Sequence, residues 1–340
     1  MPGEIHYHDY LQLEKILNAQ NTESGKRNLP AHDEMLFIII HQAYELWFKQ
    51  LHYETDSVIE IMKKPALNDN SPELQTVVHR LNRVVTILRV LVHQIDIMET
   101  MTSMDFLDFR DMLRPASGFQ SWQFKELEAK LGLKYEQRHG QEYYISQLRK
   151  EHVAIIKKAE SEKSLLQLVN KWLERMPLAP AWPPSKGNEQ DSFWQQYQTC
   201  LINSLVDAEK DNLPAFDETI FREKENAVYS LSAKASRAAL FIMLYRGYPL
   251  LQLPFQLLNS LLEIDEQLSS WRYRHMNMVH RTIGSRIGTG SSSGKDYLKA
   301  AADKHYIFKE ITQLNSFLIE RRKLPVLPAE VEKKLGFVAG

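Results

Sequence analysis

An all-α fold is what this sequence predicts. Apolar residues recur at three- and four-residue spacing over long stretches, and strand-like alternation is essentially absent. Pro, Gly and capping residues mark where each stretch begins and ends. Tyr10, Leu11, Leu13, Ile16 and Leu17 make a short amphipathic helix, which the stretch Asn21 to Pro30 breaks. Asp33 is placed to cap a helix running to about Lys63, ahead of Lys64-Pro65. Its first turns, Met35 to Ile40, are apolar nearly all round, so this helix is expected to be central and buried. Ser71-Pro72-Glu73 opens the next helix, with a capping residue and Pro at the first position. Its core stripe includes Leu74, Val77, Val78, Leu81, Val84, Val85, Leu88, Leu91, Val92 and Ile95.

Shorter helices are expected over Asp105 to Leu113, stopped by Pro115, and over Phe119 to Leu131, ended by Gly132. The more polar stretch that follows shows one clear helix near Lys163 to Arg175, then a Pro-rich surface loop from Pro177 to Gly187. Asp191 to Glu209 is amphipathic, and Asp211 to Asn226 is charged and gives no clear pattern. Leu231 to Tyr245, Pro254 to Ile283 and Lys295 to Leu318 complete the helices. The Pro-rich loop is a conceivable boundary, but the long helices on either side read as parts of one core.

At 340 residues with 44% apolar content, the chain can bury a sizeable core. The formal net charge of -1 implies no basic face, so nucleic acid is not an expected partner. Arg272, Arg274, Arg281 and Arg286 cluster, and read as a solvated helix face with anion contacts. One cysteine, Cys200, excludes an internal disulfide and four-cysteine metal sites. The first ten residues lack signal-peptide character, and the longest apolar run, Ala238 to Tyr245, is too short to span a bilayer. The expectation is a soluble, cytoplasmic protein.

Three places are candidates for chemistry. On the apolar helix, Phe37, His41, Glu45 and Phe48 share a stripe at spacings of four, four and three. The imidazole and carboxylate need partners there, because unpaired buried polar groups are costly. His41 is therefore either a satisfied core histidine or part of a pocket wall. Phe106 and Arg110 are four apart, a pairing able to hold a carboxylate beside an apolar group, although spacing favours a surface ion pair for Arg110. Pro115-Ala116-Ser117-Gly118 follows as a small-residue turn. The third place is Trp271 to Tyr297, where His275 lies on a helix ahead of the loop GTGSSSG. A lone imidazole on a rigid helix suits an axial haem position. The loop fits no dinucleotide or Walker pattern, since a helix precedes it and the lysine spacing is wrong. His275 and His280 are five apart and point in different directions, and no Glu-x-x-His motif stands on a core stripe. What survives is a site that needs one protein ligand.

Five ordered motifs together resemble the tryptophan 2,3-dioxygenases, a family of haem enzymes. They are YHDYLQLEKIL (Tyr7 to Leu17), HDEMLFIIIHQAYELWFKQL (His32 to Leu51), MDFLDFR followed by PASGFQSWQF, PFQLL (Pro254 to Leu258), and WRYRHMNMVHRTIGSRIGTGSSSGKDYL. The agreement weakens between about Tyr135 and Ser230, and the length resembles animal-type members. The resemblance implies a single domain over residues 1–340, with an N-terminal arm at 1–30, a more variable helical insertion at about 135–230, and long helices enclosing a haem pocket. It implies one haem b per subunit, ferrous when active, ligated by His275 with Trp271 one turn earlier. It places His41 near the indole nitrogen, Phe37 and Phe106 against the indole, and Arg110 on the substrate carboxylate. Thr289 falls on its ammonium and carboxylate, and Ser117 and Gly118 lie close to the haem. Tyr7 and Tyr10 reach a neighbouring subunit's site, which implies a homotetramer built as a dimer of dimers. The implied reaction joins L-tryptophan and dioxygen into N-formyl-L-kynurenine, the first step of the kynurenine pathway. Two residues depart from the pattern: Ser291 stands where a glycine is usual, and Lys125 where an arginine is usual, near the haem edge. Two other readings are a related haem oxygenase acting on another indole or aromatic amino acid, and a non-catalytic haem sensor.

Overall fold

The computed structural model describes residues 4–65, 67, 71–138, 141–176, 193–222, 230–284, 286, 298–299 and 304–336. Among these residues there are helices and no strands, so the all-α expectation holds. In chain order the helices are α1 (Tyr7–Leu11), α2 (Leu13–Leu17), α3 (Glu23–Lys26), α4 (Asp33–Met62), α5 (Pro72–Met98), α6 (Ser103–Arg110) and α7 (Trp122–Leu131). They continue with α8 (Gln141–Ser146), α9 (Lys150–Ser161), α10 (Leu165–Glu174), α11 (Phe193–Ile202), α12 (Leu213–Ile220), α13 (Ala233–Leu244) and α14 (Pro249–Ile283).

The long helices set the frame. α5 packs against both α4 and α14. Its apolar stripe explains why: Leu74, Val77, Val78, Leu81, Val84, Val85, Leu88, Leu91 and Ile95 are all buried, as the spacing predicts, and only Val92 is partly exposed. Ser71 Oγ accepts the Leu74 amide at 3.1 Å and starts the helix, with Pro72 at its first position. Polar ties fix the helices' register. Tyr44 Oη donates to the Leu91 carbonyl at 2.8 Å, joining α4 to α5. Arg274 on α14 reaches Asp96 at 2.6 Å, Glu99 at 3.1 Å and the Val92 carbonyl at 3.1 Å.

Several expectations need correction. Asp33 does not cap α4; His32 holds that position without a side-chain bond, and Asp33 is the first helical residue. Nor is the start of α4 buried all round: Met35, Ile39, Leu46 and Trp47 are exposed in the isolated chain. The first amphipathic stretch is two helices, because Gln12 adopts φ 54° and breaks the ladder. α14 starts at Pro249, five residues before the expected Pro254, which the helix absorbs near its beginning. α8 and α9 give no strong sequence signal and were not expected. The last expected helix, Lys295 to Leu318, is interrupted at residues 305–308 and resumes as Lys309–Gln313. The cause lies on α14: the Asp265 carboxylate takes the amides of Ile307 at 3.0 Å and Phe308 at 2.5 Å, and Arg272 donates to the His305 carbonyl at 2.9 Å. Those amides are thereby withdrawn from helical bonding.

One buried carboxylate ties α7 to its surroundings. Glu128 accepts Arg138 Nη1 at 2.5 Å on one oxygen and Arg272 Nη2 at 2.6 Å on the other. All three side chains are at least nine-tenths buried. Arg272 is therefore a core cation and not part of a solvated face. Burial pushes the Glu128 carboxyl pKa up, but Arg138 and Arg272 outweigh it and hold the group at about 2. Glu128→Gln leaves two buried guanidiniums short of a counter-charge, and should cost about 3 kcal/mol, read as a shift in the urea midpoint. Because the folded-state value is depressed, this contribution is complete above the unfolded value near ~4.3 and is lost as pH falls toward 2. The acid limb of the wild-type stability curve should be steeper than that of Glu128→Gln.

Candidate active site

A cavity of about 300 Å³ lies between α4, α5, α6, α7 and α14. Phe37 and His41 reach it from α4, Phe106 and Arg110 from α6, and Trp271 and His275 from α14. Ser117 and Gly118 line it from the turn after the cis Arg114–Pro115 bond. Eight of the expected site residues therefore meet in one place. Tyr7 and Tyr10 do not: they are exposed on α1 and do not line the cavity. Thr289 and Ser291 lie outside the described residues.

The aromatic part of the cavity is closely packed. The Phe37 and His41 rings lie 4.1 Å apart between centroids, and Phe37 stacks on Phe106 at 5.6 Å. Phe109, fully buried, supports both phenylalanines edge-on. α6 is held by a capping box: Thr102 Oγ1 accepts the Asp105 amide at 3.3 Å, and Asp105 accepts the Thr102 amide at 2.8 Å. That fixes the turn on which Phe106 stands and, at the helix's end, Arg110. Arg110 is 5% exposed, so it is no surface ion pair.

The two histidines have different surroundings. His41 Nδ1 lies 2.7 Å from the Phe37 carbonyl, one turn back on the same helix. A carbonyl can only accept, so Nδ1 carries the proton and Nε2 is left as an acceptor. Burial lowers the His41 pKa, with the Phe37 carbonyl and Glu45 opposing, and the ring is neutral at physiological pH. Glu45, the other polar residue of that stripe, is held at 2.7 Å by Gln123 Nε2. His275 stacks on Trp271, with centroids 5.1 Å apart and planes within 3°. Burial, and after it the neighbouring imidazole of His41, pushes the His275 pKa down to about 4. Among the described residues its Nδ1 is buried without a hydrogen-bond partner, and the residue borders the cavity.

A second group of lining residues is polar or charged, and of these the sequence singles out Lys125 alone as lying near the pocket. Lys125, Glu128, Arg138, Tyr144, Arg272 and His305 all border the cavity. Arg138 and Tyr144 come from the stretch where motif agreement is weakest, and no local pattern marks them. Met278, Val279 and Thr282 also line the wall. Those three were legible, since they follow His275 by three, four and seven residues on one helix.

The fold and site define a class: a protein whose described residues are helical and enclose a cavity of apolar and aromatic walls, with a neutral imidazole on one wall and a second imidazole on another. Sequence comparison makes this specific. The profile of tryptophan 2,3-dioxygenase matches residues 2–229 and 216–318, and the chain belongs to that family. It is 41% identical to a tryptophan 2,3-dioxygenase of Bdellovibrio bacteriovorus, covering 98% of both chains. It is 43% identical to one of Alteromonas mediterranea, covering 98% of this chain and 97% of the relative. Against a tryptophan 2,3-dioxygenase of Rattus norvegicus it is 40% identical over 98% of this chain and 87% of the relative. In length the chain is nearer to these bacterial relatives than to the rat protein.

Gly118 offers a direct test of the cavity. A Cβ built there meets nothing within 4 Å. Gly118→Leu should leave stability within about 0.5 kcal/mol by urea unfolding, because no packed neighbour is displaced. The same change should fill part of the cavity, read as weaker fluorescence enhancement of an apolar dye bound there.

Proposed function

We propose that this protein is a haem-dependent dioxygenase that opens the indole pyrrole ring of L-tryptophan to give N-formyl-L-kynurenine. The single observation that carries the reading is the joining of His275, His41, Phe37 and Arg110 around one cavity in a chain of this family. Among the described residues no three His, Cys, Asp or Glu side chains converge as a metal site, whereas a haem iron asks for one imidazole. The residues fit that group. His275 borders the cavity with a neutral imidazole, Trp271 stacks on its ring, and Gly118 leaves open space at the same cavity. Bound there, haem b would supply the activation of dioxygen.

The chain's own residues bind and orient the substrate. Phe37 and Phe106 form the apolar walls for an indole. His41 Nε2, with its lone pair free, accepts the indole N–H and sets the ring's orientation. Because His41 is held neutral by its surroundings, it needs to bear no charge to do so. Arg110 takes the carboxylate, which separates the amino acid from a bare indole, and Thr289 contacts the ammonium and carboxylate. Ser117 adds a hydroxyl beside the haem. Tyr7 and Tyr10 serve a neighbouring subunit's site in a homotetramer. That assembly is supported by the exposed apolar residues Met35, Ile39, Leu46 and Trp47 along α4, which suit burial against another copy. No described helix is long and apolar enough to cross a membrane, and we place the protein in the cytoplasm as one domain.

Haem-loaded, reduced protein supplied with tryptophan and oxygen should accumulate the ultraviolet absorbance of formylkynurenine; a haem protein that makes none would overturn the reading. His275→Ala should purify without a Soret band. Arg110→Ala should raise KM for tryptophan by roughly ten- to a hundredfold, the scale of a lost charge-assisted contact, and should not change any residual turnover of indole itself. His41→Ala should keep part of the wild-type kcat, since an orienting contact and not a base is removed.

A further inference from the structure

The charged group bordering the cavity is out of balance. Arg138 and Arg272 share Glu128, and Arg138 Nε also lies 3.7 Å from Glu160. Among the described residues Lys125 has no such ion pair. Its side chain is 7% exposed, it borders the cavity, and among the described residues its ammonium makes no hydrogen bond. The nearest group is the face of Tyr144, 4.8 Å from ring centre to Nζ, and Arg138 covers the same ring at 4.0 Å. A buried cation without a counter-ion is costly unless something brings one.

We propose that Lys125 is the binding residue for a carboxylate of the cofactor, and that its being a lysine makes the protein's hold on haem depend on pH in the alkaline range. The inference rests on the haem reading above. Haem b carries two carboxylates and arrives as an anion at its polar edge, the charge this corner of the cavity lacks. An arginine here would stay protonated at any physiological pH. The lysine does not: burial, then Arg138, with Glu128 opposing, push its pKa down to about 8. The other charged or titratable groups at this end of the cavity are Tyr144 on α8, Arg272 on α14 and His305 beyond it, with Glu160 on α9 reached through Arg138. Neither arginine loses its proton in this range.

The signs follow from linkage. Below about pH 8 the ammonium is charged with or without ligand, so affinity is flat. Above that, binding an anion must take up a proton, and affinity falls by up to tenfold per pH unit. The apoprotein behaves oppositely, because a depressed lysine pKa makes the unfolded chain bind more protons. Its stability therefore rises with pH between about 8 and the ordinary lysine value near ~10.4.

The test is haem transfer from the full-length holoprotein to excess apomyoglobin, followed by the Soret change from pH 6.5 to 9.5. Wild type should lose haem at a constant rate up to about pH 8 and roughly tenfold faster by the top of the range. Lys125→Arg should flatten that rise. Lys125→Met should lose haem roughly ten- to a hundredfold faster at neutral pH, with no further rise above pH 8. Urea unfolding of the apoproteins separates a ligand contact from a structural one: Lys125→Met should be as stable as wild type at neutral pH, or more so, because it removes an uncompensated buried charge. A flat wild-type profile, or a rise that survives in Lys125→Met, overturns the proposal, as does a large loss of apoprotein stability in Lys125→Met. If the protein takes up no haem at all, the functional reading itself fails.

Discussion

Glu128 holds together the parts of this protein that have to agree. Its two oxygens receive one guanidinium from the segment after α7 and one from α14. Through Arg272 the same network continues to the His305 carbonyl. Three stretches far apart in sequence therefore share a single buried charge. Such networks gain little over an apolar core in stability, but they are costly to break, which gives one arrangement a clear preference over near alternatives. The helix carrying His275 is thereby set against the helix carrying Lys125, and the cavity between them has defined walls.

The protons in the cavity follow from position more than from residue type. His41 donates to its own helix and turns a lone pair outward. His275 is kept neutral by burial. Both imidazoles are prepared by the protein before any ligand arrives, so binding need not spend energy on deprotonation. Lys125 is prepared in the other sense: its charge waits for a partner.

Much of this was legible in the sequence, and the failures have physical causes. The α5 stripe was read almost residue by residue, because a helix packed on two sides leaves an unmistakable period. His41, Phe37, Phe106, Arg110 and His275 were all named and all reach the cavity. Spacing alone nevertheless pointed Arg110 toward the surface, since nothing local to residue 110 reports what packs over it. Arg138 and Tyr144 could not be found in this way, because their meaning depends on Lys125 and Glu128, more than a turn of chain away or on another helix. The apolar first half of α4 predicted burial, yet Met35, Ile39, Leu46 and Trp47 face outward. A pattern tells that a surface is apolar, not whether its cover comes from the same chain. The break at residues 305–308 was also invisible, because its cause, Asp265, sits some forty residues upstream.

That break has a consequence for how the family can vary. α14 ends at Ile283, and the chain returns to the same helix where Asp265 grips Ile307 and Phe308. The interval between, which carries the loop GTGSSSG, thus begins and ends on one rigid rod. Closing such an interval costs free energy that grows only slowly with its length. A change of length between those two anchors is therefore taken up between them, and the helix that carries His275 keeps its place.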